Sequence, residues 1–411
     1  MGLKKILIIG LVWPEPKSSA AGSRMLQLVQ QFLNQDCEIT FVCAAKVSNN
    51  TYDLSQLGVN TRNVLLNNNS FDDFVFTLKP DVVMFDRFMT EEQYGWRVAE
   101  QCPNALRILD TEDFHGLRKA RQLALKENTE VSIKHLHNDT TKREIASIYR
   151  CDLSLMISEV EIELLTKSFK IDASLLYYLP FLLEPVEEES IDKLPTFEER
   201  QHFVTIGNFL HPPNYDAVLY LKQTIWPLIR KQLPKVELHS YGAYESQKVT
   251  QLHNKKEGFL IKGFAKNVNE VMQNAKVCLA PIRFGAGLKG KLVDAMQNGT
   301  PCLMSGIAAE GMFGNIDIPG FVEDNAEAFV QKATKLYSDS EIWKNKQQNG
   351  FKVIAQRFNT SDFESAFFNK IEALKENLQR HRQNNFIGNL LYYQTLLSTK
   401  YMSKWIEEKN R

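Results

Sequence analysis

The feature that most constrains this chain is a rhythm in its apolar residues. Short, largely apolar runs alternate with amphipathic helical stretches. Ile6–Gly10, Glu38–Cys43, Val82–Phe85, Leu106–Leu109 and Leu153–Ile157 are such runs, and Ser23–Leu33 and Glu91–Gln101 between them have helical periodicity. A strand that is apolar on both faces can meet water on neither, so it belongs in a parallel sheet covered by helices on both sides. At 184–200 the chain reads EPVEEESIDKLPTFEER, which is acidic, proline-containing and poor in apolar residues, as a linker is. The rhythm then restarts. His202–Gly207, Val236–Tyr241, Gly258–Ile261, Val277–Ala280 and Pro301–Met304 read as strands. Between them Asn214–Gln232 (broken before Pro227), Gln247–Asn254 and Val268–Asn274 read as helices. The expected fold is α/β, with two Rossmann-like doubly wound parallel-sheet domains over 1–183 and 201–360 and a helical tail over 361–411.

Composition narrows the classes of function. Lys plus Arg number 49 and Asp plus Glu number 49, so the formal net charge is zero, which argues against nucleic acid as a partner. Six cysteines (Cys37, Cys43, Cys102, Cys151, Cys278, Cys302) are scattered, with no CxxC pair, and read as buried thiols in a reducing compartment. Lys4-Lys5 before Ile6–Trp13 mimics a signal peptide with a very short apolar core. The run is at the lower limit for one and Pro14-Glu15-Pro16-Lys17 follows, so the strand reading is preferred and a cytoplasmic location expected. The stretch 113–150 is charged and helical. Its Arg118, Lys119, Arg121, Lys126, Lys142 and Arg143 read as a solvated face balanced by acids, or alternatively as a peripheral contact with a membrane or an anionic acceptor.

Chemistry concentrates at 277–300, VCLAPIRFGAGLKGKLVDAMQNGT. An apolar strand ends at Pro281. Gly285, Gly287 and Gly290 follow, interleaved with Arg283, Lys289 and Lys291, and then a short amphipathic helix closed by Gly299. A strand, a glycine loop and a helix start together hold anions, because free amides and the positive end of the helix dipole face the ligand. A dinucleotide site of the usual kind is excluded, since after the first strand no glycine stands between Gly10 and Gly22.

The run Pro281-Ile-Arg-Phe-Gly-Ala-Gly-Leu-Lys-Gly-Lys-Leu-Val-Asp-Ala-Met-Gln-Asn-Gly-Thr-Pro301 resembles the donor-site signature of GT-B glycosyltransferases of the group 1 family, in a lysine-loop form. Ile261-Lys-Gly263-Phe264 resembles the family's loop against the nucleobase, and Phe203–Phe209 its opening second-domain strand. The likeness extends from Phe203 to about Met312. It implies transfer of a hexose-type sugar from a nucleotide-sugar donor to a hydroxyl acceptor of unknown identity (glycan, lipid-linked saccharide or small molecule), with neither metal nor other cofactor. It implies too that the tail crosses back to the first domain. Asp294 then takes the ribose hydroxyls, Lys289 and Lys291 meet the diphosphate, and Arg283 is a further cation. Gly285, Gly287, Gly263, Phe264, Glu310 and Asn208 line the donor. The chain departs from the family where Asn208 replaces a usual arginine and where Ala286 stands eight residues before Asp294, in place of a glutamate.

In the first half, Ser18–Ser23 matches in position the small-residue loop that lets ligands approach the backbone, with Gly22 and Ser23 as its acceptor-side residues, or else is a plain strand–helix connector. His115 resembles the family's histidine beside the donor sugar. Asp113 and Asp110 read as acceptor-binding groups or a base. Asp86 and Arg87 end another strand, ahead of Glu91 and Glu92, which read as acceptor contacts or as helix N-terminal charges. Two rivals remain: a sugar-nucleotide epimerase or phosphorylase of the same fold, and a non-catalytic sugar-nucleotide-binding scaffold.

Overall fold

The computed structural model describes residues 3–409. Its first sheet has seven strands: β1 (Lys5–Gly10), β2 (Glu38–Cys43), β3 (Asn60–Asn63), β4 (Val82–Asp86), β5 (Leu106–Asp110), β6 (Leu153–Met156) and β7 (Leu176–Tyr178). The second has six: β8 (Gln201–Ile206), β9 (Leu238–Tyr241), β10 (Phe259–Gly263), β11 (Ala275–Ala280), β12 (Cys302–Met304) and β13 (Gly320–Val322). The strand orders are β3-β2-β1-β4-β5-β6-β7 and β10-β9-β8-β11-β12-β13, with every pairing parallel. In each sheet the order reverses beside its first strand, between β1 and β4 and between β8 and β11. The loops part there and leave a crevice at the carboxyl ends of the strands.

Side chains alternate as a two-sided sheet requires. Ile6 and Ile8 enter one core layer, whereas Leu7 and Ile9 enter the opposite one. In β11, Cys278 and Ala280 face one layer, and Val277 and Leu279 the other. All six cysteines are buried and free. No helix among the described residues is long and apolar enough to cross a membrane.

Three strands of the structure are absent from the expected set. β3 is Asn-Thr-Arg-Asn, exposed at all four positions, so it carries no apolar run, while β7 and β13 are only three residues each and lie at sheet edges. The 113–150 stretch is three helices, His115–Glu127, Ile133–Leu136 and Asp139–Arg150. The helical stretch before Pro227 does not break. A π turn, Leu221–Ile225, joins Pro212–Tyr220 to Trp226–Gln232, because proline has no amide with which to close the α ladder.

Residues 184–200 include a short helix, Glu188–Ile191, and end in a well-anchored Arg200. That guanidinium is buried and donates to the carbonyls of Pro195 and Asn298 and to the Thr300 hydroxyl. The chain returns to the first sheet beside its own exit. Leu183 N donates to Phe358 O at 2.7 Å and Thr360 N to Leu183 O at 2.9 Å. The helices Thr360–Glu376, Leu378–Asn384 and Phe386–Lys409 follow. Phe367, Ile371, Leu374 and Leu378 complete the core layer that holds Ile6 and Phe32. Arg382 clamps Asp152 through Nε and Nη2 at 2.8 and 2.7 Å.

Candidate active site

The glycine loop crosses the gap between the two sheets. At Gly287, φ is +63°, and a Cβ there would lie 2.8 Å from Asp113 Cβ of the first domain. Only glycine fits this left-handed, crowded position without displacing a neighbour. At Gly290, the first residue of the helix Gly290–Gln297, a Cβ would stand 2.6 Å from the Cβ of Ala20. Ala20 opens the helix Ala20–Leu33, whose N-cap Ser19 accepts from Gly22 N at 3.1 Å. Two helix N-termini therefore meet across the crevice, and both present positive dipole ends to it.

Lys289 and Lys291 flank this junction. Lys289 Nζ donates to the carbonyls of Ala286 at 2.9 Å and Gly287 at 2.6 Å, and Lys291 Nζ to Asn214 Oδ1 at 3.0 Å. Burial pushes both ammonium groups down to about 8, with the Arg121 charge adding to the effect on Lys289. Asp294, one turn on from Lys291, is pushed up to about 7 by burial, which the charge of Lys291 tempers. Asn298 Nδ2 donates to the Asp294 carbonyl at 2.8 Å, but no hydrogen bond to the Asp294 carboxylate forms among the described residues, so that carboxylate is available as a double acceptor.

The first domain contributes the loop after β5. His115 begins a helix; its Nδ1 lies 2.9 Å from Asp113 O and 3.2 Å from Glu144 Oε1. Burial disfavours the imidazolium, but the carboxylates of Asp113 and Glu144 outweigh it and hold the group above its ordinary value. Burial likewise opposes ionisation of Asp113, yet Arg118, at 2.7 Å, together with His115 keeps that carboxyl at about 2. Arg118 reaches His211 Nε2 of the second domain at 3.1 Å. His211 is itself driven down to about 3 by burial and the charge of Arg118, and so is neutral.

Two further contacts close the gap. Arg121 grips Glu310 with both nitrogens, at 2.9 and 2.6 Å, and also donates to Gly285 O at 2.7 Å. Glu161 Oε1 accepts from Phe114 N at 3.0 Å and Gly287 N at 2.7 Å, one carboxylate spanning both domains. Burial, with Asp113 nearby, pushes Glu161 up to about 7.

The remaining expected residues divide. Asn208 shapes the loop after β8, its Oδ1 accepting from Leu210 N at 2.9 Å. Gly263 closes β10 and Phe264 follows it, the phenyl ring partly exposed. Arg283 forms a two-point pair with Asp216 (2.9 and 2.6 Å) over the Tyr220 ring, so its charge is already answered. Gly22 is pinned, because a Cβ there would meet the Glu15 backbone at 2.4 Å, and Ser23 Oγ donates to Pro16 O at 3.0 Å. Asp86 accepts from Leu11 N at 3.0 Å, and Arg87 beside it has φ +69°. Asp110 is buried against Arg24. Glu91 leaves the crevice altogether: buried, it binds Arg150 and Ser147, while Glu92 pairs with Arg143. The solvated-face reading of 113–150 is corrected at Arg118 and Arg121, which bridge to the second domain.

A family model described as glycosyl transferases group 1 matches residues 200–339. The chain has the GT-B fold. Solved structures with this fold include a sucrose-phosphate synthase from Thermosynechococcus elongatus, at 15% identity and a TM-score of 0.69, covering 90% of this chain and 99% of that one. HepE of Anabaena, in complex with UDP and glucose, has 12% identity and a TM-score of 0.69, covering 90% and 100%. A point mutant of TarM of S. aureus, in complex with fondaparinux, alpha-GlcNAc-glycerol and UDP, has 10% identity and a TM-score of 0.69, covering 90% and 100%. A search of curated proteins found no match. Glu144, Glu161, His211 and Asn214, with Arg121, join the crevice although their own segments do not mark them as donor-site residues. Each is an ordinary polar residue where it stands in the chain, and only the meeting of the two sheets gives it a role.

Proposed function

We propose that this glycosyltransferase moves a hexose-type sugar from a uridine diphosphate donor, bound by the second domain, to an acceptor hydroxyl presented by the first, without a metal. One observation carries the reading. A single helix start offers free anion-binding charge at Lys289 and Lys291, and within a turn an unengaged carboxylate, Asp294, suited to a vicinal diol. Diphosphate beside ribose requires that pairing. The uridine assignment takes support from the UDP bound in HepE and TarM.

Bond breaking places negative charge on the leaving diphosphate. The two lysines and the N-terminus of Gly290–Gln297 lie where that charge develops and stabilise it in a site from which water is largely excluded. Asp113, held strongly acidic, is a weak base. Its work is to fix His115 and Arg118, so that His115 Nε2 is left to contact the sugar. Glu310 meets the donor sugar once Arg121 yields it.

The test is turnover of a panel of radiolabelled sugar nucleotides (UDP-glucose, UDP-N-acetylglucosamine, GDP-mannose). Slow donor hydrolysis, lost in Lys291→Ala, supports transfer. Tight binding without turnover of any donor points instead to a sugar-nucleotide-binding scaffold, and interconversion of free sugar nucleotides to an epimerase.

A further inference from the structure

Beside His115 and Arg118, side chains of both domains line an open cavity of ≈ 300 Å³. It holds about ten water volumes, room for one sugar ring and a substituent. Its apolar lining includes Phe88 and Met89 from the first domain and Pro213 and Phe284 from the second. Its ionisable lining is of one sign: His115, Arg118, Lys119 and Arg143 are all basic, and no acid lines it. Three of these four charges are met from behind. Asp113 and Glu144 face His115, Asp113 also holds Arg118, and Glu92 takes Arg143 at 3.0 and 2.5 Å. Lys119 is exposed and forms no ion pair among the described residues, which leaves one uncompensated cation among the apolar side chains and the neutral Gln122 and Thr140 of the lining.

We propose that this cavity receives an acceptor carrying a phosphate group, the phosphate on Lys119 and the outer edge of Arg143, its sugar or apolar body against Phe88, Met89 and Phe284. The proposal rests on the transfer reading above and adds the acceptor class to it. An anion here cancels a charge that the fold leaves open, whereas a neutral acceptor leaves it standing. Because Lys119 lies one turn after His115 on the same helix, a phosphate on it sets how far the acceptor hydroxyl reaches toward the donor sugar.

Phenyl phosphate and phenol form a matched pair of probes, read by ligand-detected NMR on the full chain. Phenyl phosphate binds and phenol binds at least about tenfold more weakly. Lys119→Glu abolishes the preference and Lys119→Gln reduces it, while Lys291→Met leaves it in place. Equal binding of the two probes overturns the proposal. So does phenyl phosphate binding that survives Lys119→Glu but is lost in Lys291→Met, since the anion then sits with the donor lysines. Glycerol 3-phosphate and vesicles of phosphatidylglycerol, compared in wild type and Lys119→Glu, tell soluble from lipid-borne phosphate. Donor hydrolysis is measured separately: its absence sinks the transfer reading, while its presence with no Lys119-dependent preference for phosphate sinks only this one.

Discussion

Gly287→Ala gives a sharp test of how the two domains are held together. Two costs fall on the added methyl. At φ +63° an L-residue is strained by roughly 1–2 kcal/mol. Its Cβ would also sit 2.8 Å from Asp113 Cβ, where carbon atoms prefer about 3.5–4 Å, so the loop must recede from the first domain by on the order of 1 Å. That retreat strains the Glu161 bond to Gly287 N, now 2.7 Å, and takes Lys289 with it. A total near 2–3 kcal/mol corresponds to about 4–12 °C in Tm for domains of this size. A shift of that order in catalytic groups reduces turnover about a hundredfold. Gly58→Ala supplies the control, since φ there is +76° with nothing within 4 Å of the added Cβ. It should lose only the backbone share, about 1 kcal/mol, with donor turnover unchanged. Differential scanning fluorimetry and donor hydrolysis read both variants. If Gly287→Ala matches Gly58→Ala in Tm and keeps wild-type turnover, the close interdomain approach is not required and the reasoning fails.

Other expectations follow from the same geometry. Lys291→Met should lower kcat by about 10²–10³, as loss of one preorganised group at developing charge does elsewhere, with little change in Tm; a fall of less than about fivefold in steady-state kinetics counts against its role. Burial lowers both Lys289 and Lys291 to about 8. The cation is the working form, so kcat/KM should be highest below about pH 8 and decline as the pH rises through it, and a profile flat to about pH 9.5 removes them from the site. Because their folded-state values lie below 10.5, protonation costs folding, so their own contribution to stability rises between about pH 8 and 10.5 even as activity falls. For Asp113 the sign is the ordinary carboxylate one: its value near 2 lies below 3.8, so its contribution is complete above about pH 4 and is lost as pH falls through 2, which acid titration of wild type against Asp113→Asn resolves. Arg24→Met leaves Asp110 buried and unpaired and should destabilise by about 3–5 kcal/mol in urea unfolding, whereas the double change with Asp110→Leu should recover most of the loss.

How much of this was legible follows from what each signal measures. Apolar runs report burial, so strands buried on both faces stood out, as at Glu38–Cys43. An edge strand such as Asn60–Asn63 pairs through its backbone and leaves no trace in hydropathy. The glycine loop was legible because its constraint is local: the chain must turn at Gly287 and start a helix at Gly290. Arg121 and Glu161 were not, for their partners lie 189 and 126 residues away, and nothing in a surface-like helix marks a charge that will meet another sheet. The linker residue Arg200 misleads for a related reason. A charged segment end reads as solvated, but this guanidinium is enclosed by carbonyls at the ends of helices that the linker itself does not contain.

The return of the chain beside Leu183 bears on the order of assembly. The residues between exit and return, 184 to 358, form an insertion whose two ends touch, so they can close their own sheet without the rest. The first domain cannot. Its core layer lacks Phe367, Ile371, Leu374 and Leu378 until the last helices exist, although residues 3–183 leave the ribosome first. The half made earliest is therefore the half finished last. A destabilising change in the terminal helices should first appear as chains in which the second domain is native while the first is still open to protease.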